Sequence, residues 1–79
     1  MILPTKHLSD DRSLLRVGGE ILRLLTEPKT VSRLWNELSD LRGKMQLQRV
    51  TYDWFILALD LLFSMSVIEF KSGRIWRAN

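Results

Sequence analysis

Leu14, Val17, Ile21 and Leu24 recur at spacings of three and four residues, with Leu15, Leu22 and Leu25 beside them. That is the period of a helix with one apolar face. It predicts a first helix over roughly Asp11 to Thr26, with Ser9, Asp10 and Asp11 offering N-cap side chains and first-turn acids. Gly18 and Gly19 lie inside it, and each costs about 1 kcal/mol against alanine. Close packing of another element, or a local break, would explain them. Pro28 ends the helix, and Thr30 reads as the N-cap of a second one. Its stripe of Val31, Leu34, Trp35, Leu38 and Leu41 leaves Arg33, Asn36, Glu37 and Asp40 facing away, and Gly43 is the expected C′ residue.

Lys44 to Val50 is a polar, basic connection. Thr51 then caps a third helix from Tyr52 to about Met65, which is apolar on nearly every side. Asp53, Asp60 and Ser64 are its polar stripe. A helix of this kind is either central to a core or covered by a partner, and it is expected to be the most buried element. Beyond it, Val67-Ile68-Glu69-Phe70-Lys71 alternates, Ser72-Gly73 supplies a turn, and Arg74-Ile75-Trp76-Arg77 returns. Phe70 then pairs with Ile75 and Glu69 with Trp76, for a two-residue or a four-residue loop alike.

The order helix, extended Pro-Lys-Thr link, helix, helix, hairpin is that of a winged helix-turn-helix. The expected fold is therefore mainly α with a C-terminal β-hairpin, one domain over residues 1–79. Residues 1–8 form an extended arm and 67–77 the wing. Ser66 stands where many such domains have glycine, because the helix end favours positive φ there. A three-helix bundle with a disordered tail is the alternative.

Length and charge narrow the choices. Seventy-nine residues make one domain with a modest core. There is no cysteine, which excludes disulfides and thiolate metal sites. The start of the chain lacks the features of a signal peptide. The most apolar stretch, Trp54 to Phe63, is interrupted by Asp60 and is about half the length that spans a bilayer. A soluble, cytoplasmic protein is expected. The net charge of +3 permits nucleic-acid contact without demanding it.

Little in the chain points to chemistry. His7 is the sole histidine and has no clustered ligands around it, so no metal is expected. Asp53 and Asp60 lie two turns, or roughly 10 Å, apart on one helix face, without the surroundings of a hydrolytic pair. Gly43-Lys44 lacks the glycine-rich loop that cradles phosphate. No enzyme and no cofactor are expected. Direct base readout by the third helix is disfavoured as well. No Lys or Arg occurs between Arg49 and Lys71, and the charges in that interval are Asp53, Asp60 and Glu69. What remains for DNA is non-specific phosphate contact through Arg42, Lys44, Arg49, Lys71, Arg74 and Arg77, or a purely solubilising role for these charges. The apolar surplus favours protein binding. Tyr52, Trp54, Leu57 and Leu61 on the third helix are candidate interface residues. Trp76 joins them, since alternation turns it away from Phe70 and Ile75.

Several phrases resemble a known family. They are the opening Met-Ile-Leu-Pro-Thr-Lys-His, Arg12-Ser13-Leu14-Leu15, Gly19-Glu20-Ile21-Leu22, Pro28-Lys29-Thr30-Val31, and the block from Tyr52-Asp53-Trp54-Phe55 to Asp60-Leu61-Leu62. Together they resemble the middle component 6 family of bacterial ABC-three-component systems over nearly the whole chain. The resemblance implies an adaptor that partners an ABC-type ATPase, a third component, or both, in defence against mobile elements. It transfers no catalytic residue. A winged-helix DNA-binding regulator is the alternative function.

Overall fold

The structure, a computed structural model, describes residues 13–78. The proposed arm at 1–8, the early cap residues and His7 lie outside the described residues. Among those described, α1 (Leu14–Leu24), α2 (Val31–Lys44) and α3 (Tyr52–Ser64) precede a hairpin of β1 (Ile68–Lys71) and β2 (Arg74–Arg77). The expected α-α-α-β-β order is present.

Each helix opens on a hydroxyl cap. Ser13, Thr30 and Thr51 hold extended backbone, and their side chains accept from the amides of Arg16, Arg33 and Trp54. This satisfies amide groups that the first turn leaves without helical partners. The first helix thus starts three residues later than its periodicity implies, because Ser13 takes the cap. It also ends earlier, at Leu24. Leu25 leaves the helical conformation with its side chain in the core, and Pro28 restricts the residue before it.

The stops of α2 and α3 share one design. The amides of Gln46 and Leu47 donate to the carbonyls of Gly43 and Arg42, and those of Ser66 and Val67 to Phe63 and Leu62. These are two Schellman closures, with Gln46 at φ 56° and Ser66 at φ 61° in the left-handed position that glycine usually fills. The expected C′ residue, Gly43, is instead inside α2. Ser66 does take the positive φ inferred for it. The hairpin turn needs the same region twice, at Ser72 (φ 55°) and Gly73 (φ 74°), as a two-residue type I′ connection does. Phe70 faces Ile75 and Glu69 faces Trp76, as alternation requires.

The core joins Val17, Ile21 and Leu25 to Leu34 and Leu38, then to Phe55, Ala58, Leu59 and Leu62, and closes on Ile68 and Ile75. Gly18 is explained by contact: a Cβ there would lie 3.2 Å from the Leu62 side chain, so α1 and α3 approach closely at this turn. Ile75 locks the hairpin down. Its amide and carbonyl exchange hydrogen bonds with Lys29 in the α1–α2 link, at 2.8 and 3.1 Å. The third helix is not uniformly buried. Phe55, Ala58, Leu59 and Leu62 form one covered row, while Tyr52, Leu57 and Phe63 are exposed. Phe55, Leu59 and Leu62 are buried as expected of α3, while its outward side remains exposed.

Two charges sit within this apolar frame. Arg42 on α2 is 2% exposed, and its guanidinium meets Glu20 of α1 at 2.6 Å. Its Nε donates to the Gln48 carbonyl at 2.8 Å, so one side chain ties α1, α2 and the α2–α3 link. Removing one partner of a buried pair strands the other, which costs about 3–5 kcal/mol. Arg42→Ala is expected to lose that much in urea denaturation, whereas Glu20→Leu with Arg42→Met should recover most of it. A small loss for Arg42→Ala would show that the pair does not hold the frame. Separately, Ser66→Gly should gain about 1 kcal/mol by relieving the left-handed position, raising the melting temperature by roughly 4–8 °C. An unchanged or lower melting temperature would contradict that reading of the cap.

Candidate interaction surface

Helical spacing sorts the interface candidates on α3. Trp54, Leu57 and Leu61 follow at three and four residues and share one row. Trp54 is half-buried against the core, Leu61 is half-buried, and Leu57 is 47% exposed. Asp53 and Asp60 stand exposed beside this row. Tyr52 belongs elsewhere. Its ring packs edge-on to Trp35 at 5.3 Å and tilted on Phe55 at 5.7 Å, which sets it beside α2.

Trp76 is half-buried on the outer face of the hairpin, the side away from Ile75. The Lys71 ammonium lies 4.8 Å from its ring centroid, and its indole N–H donates to the Lys71 carbonyl at 3.2 Å. The hairpin therefore fixes the ring in place without burying it. Phe70 was assigned to the inward face with Ile75, yet it is 54% exposed. Ile75 on β2 is flanked by the Lys29 bridge as well as by β1, whereas Phe70 on β1 pairs with β2 alone, so among the described residues no further strand covers it.

The expected phosphate-contacting set divides. Arg42 leaves it, because a buried guanidinium paired with Glu20 is not presented to a phosphate. Lys44 and Arg49 are exposed on either side of the α2–α3 link. Lys71 and Arg74 face each other across the hairpin end, with Lys71 over Trp76. Arg77 is exposed too, and it donates to the Leu22 carbonyl near the end of α1 at 3.3 Å. Among the described residues no group of three or more His, Cys, Asp or Glu is placed to hold a metal ion. No helix there is long and apolar enough to cross a membrane.

A second ionic group sets the hairpin's position. Lys29, 5% exposed, donates to Glu37 of α2, whose other carboxylate oxygen accepts from Arg33 at 2.9 Å. Arg33 also reaches Glu27 at 2.9 Å. Hydrogen bonds from Lys29 and then Arg33 hold the Glu37 carboxyl below its ordinary range. The hydrogen bonds that Arg33 donates to Glu37 and Glu27 raise its own pKa. Because Lys29 also carries the backbone bridge to Ile75, this network supports the strand that presents Trp76.

The fold and surface define a class: a small helical domain closed by a hairpin, with apolar side chains left over on its third helix. The family model for the ABC-three-component system Middle Component 6 matches residues 3–77, and the chain belongs to that family. It is thus a middle component of a multi-component system. No curated protein and no solved structure is detectably similar to it.

A depressed carboxyl contributes stability that is complete above the unfolded value, about 4.3 for glutamate. The contribution is lost as pH falls through the lower folded value. Glu37→Gln should therefore lower the melting temperature at neutral pH and narrow its gap to the wild type under acid conditions. Parallel melting-temperature profiles down to that range would show that Glu37 is not held by Lys29 and Arg33.

Proposed function

We propose that the protein is a non-enzymatic adaptor, the middle subunit of an ABC-ATPase-based bacterial defence system, acting in the cytoplasm by protein–protein contact. One observation carries this reading. In a chain of this family, α3 keeps the apolar row Trp54, Leu57 and Leu61 partly outside the core. Core packing uses the neighbouring row of Phe55, Ala58, Leu59 and Leu62, which leaves the outer part of this one available to a partner subunit. Trp76 supplies a large ring already held in one orientation, which lowers the entropy lost on binding. The winged helix-turn-helix arrangement is part of the proposal. It is supported by the Lys29–Ile75 bridge, which lays the α1–α2 link beside the hairpin as a third strand position. ATP hydrolysis then belongs to the neighbouring subunit, and this chain contributes shape.

A second reading, a DNA-binding regulator, draws on Lys71 and Arg74 side by side at the hairpin end, with Lys44, Arg49 and Arg77 also exposed. Asp53 and Asp60 on the outward side of α3 oppose it, since they would repel phosphate where a reading helix needs cations. DNA binding under the adaptor reading is weak, sequence-independent and lost with salt.

Co-expression with the ATPase and third component encoded beside it tests the proposal. The chain should co-purify with at least one of them. Leu57→Asp and Trp76→Ala should each weaken that association about tenfold or more with little change in melting temperature. Tight, site-specific DNA binding at physiological salt, or association indifferent to both substitutions, would contradict the reading.

A further inference from the structure

Gly18 and Gly19 are neighbours in the middle of α1, but among the described residues packing explains only Gly18. Gly18 admits Leu62, whereas a Cβ at Gly19 would meet none of the described residues within 4 Å. Glycine in an exposed helix interior weakens the helix. Gly19 lies in a groove between α1 and α2, beside the apolar side chains of Leu24 and Leu41. Two further apolar groups border the groove and are unusually open: Leu15 at 71% and Met45 at 53% exposure.

The groove's charged side chains are Arg16, Arg23 and Glu20. Arg16 and Arg23 stand on the α1 side of the groove. Its carboxylate, Glu20, is already engaged by Arg42 at 2.6 Å and by Arg16 at 3.3 Å. The groove therefore presents apolar walls under a positive rim.

We infer that this groove is a second docking site, which receives an amphipathic helix with an acidic edge from a partner subunit. The inference rests on the adaptor reading and extends it, since the groove shares no residue with the α3 row. A helix fits the geometry. The groove between two helices takes the side-chain ridge of a third, and the missing Cβ at Gly19 lets a backbone come close. An extended peptide would instead seek a sheet edge, and this groove is lined by helices whose backbone groups already bond to each other. Arg16 and Arg23 are seven residues apart, about 10 Å along α1. Carboxylates two turns apart on the incoming helix would match them as charge-assisted pairs. A protein with two such surfaces can hold two subunits at once.

The test measures binding of the purified ATPase subunit and the purified third component, each separately, to the wild-type chain, Gly19→Leu, Arg23→Glu and Leu57→Asp. Gly19→Leu fills the groove while favouring the helix, so its melting temperature should stay or rise. It should nevertheless weaken binding of one subunit at least tenfold. Arg23→Glu should weaken the same subunit, and reversal of a carboxylate on that subunit's helix should restore binding. If Leu57→Asp disrupts binding while neither groove variant does, the adaptor reading stands and the groove proposal falls. If the wild type binds neither subunit, both fall. If Gly19→Leu only splits a dimer of this chain in sedimentation, the occupant is a second copy, and the proposal is overturned.

Discussion

A guanidinium and a carboxylate withdrawn from water each cost several kcal/mol before their attraction is counted, and Glu20 and Arg42 are nine-tenths or more covered. Such a pair is tolerable only where geometry satisfies it. Here Arg42 bonds Glu20 across the helices and the Gln48 carbonyl in the link, while Glu20 keeps a second contact with Arg16. The α1–α2 crossing and the path of the α2–α3 link are thereby set together. The link in turn delivers Thr51 to the start of α3. Where α3 lies decides which of its apolar residues enter the core and which stay out.

The hairpin is held by a parallel arrangement. Lys29 is covered, pairs with Glu37, and exchanges backbone bonds with Ile75. Both networks place a charge where a hydrophobic side chain could have stood. A buried ion pair adds less net stability than a well-packed apolar contact, but it penalises any misalignment severely. For a chain this short, whose core is small, that penalty helps to select one arrangement of three helices and a hairpin. The surfaces on α3 and in the α1–α2 groove then keep their shape before any partner arrives.

Local signals in the sequence were readable because they involve near neighbours. Thr30 and Thr51 cap their helices, Ser66 takes the left-handed turn, and Phe70 opposes Ile75 at either loop length. What was not legible depended on distant partners. Arg42 looks like an exposed cation in a basic stretch, and only the fold brings Glu20, 22 residues earlier, against it. Tyr52 stays exposed, but its ring rests on Trp35 of α2, a contact that only the fold brings about. Gly43 resembled a helix stop, but Gln46 made the turn instead. A helix cap is settled over a few residues, whereas burial is settled by what crosses the helix.

The central claim is that the outward side of α3 is surface in the free protein and interface in the assembled system. Hydroxyl-radical footprinting, read side chain by side chain by mass spectrometry, addresses this directly in the free chain and in its complex with the ATPase and third component. Leu57, Trp54 and Trp76 should be oxidised in the free protein and protected in the complex, while Phe55, within the core, stays unreactive in both. Equal labelling of Leu57 and Trp54 in the free and assembled states would contradict the account.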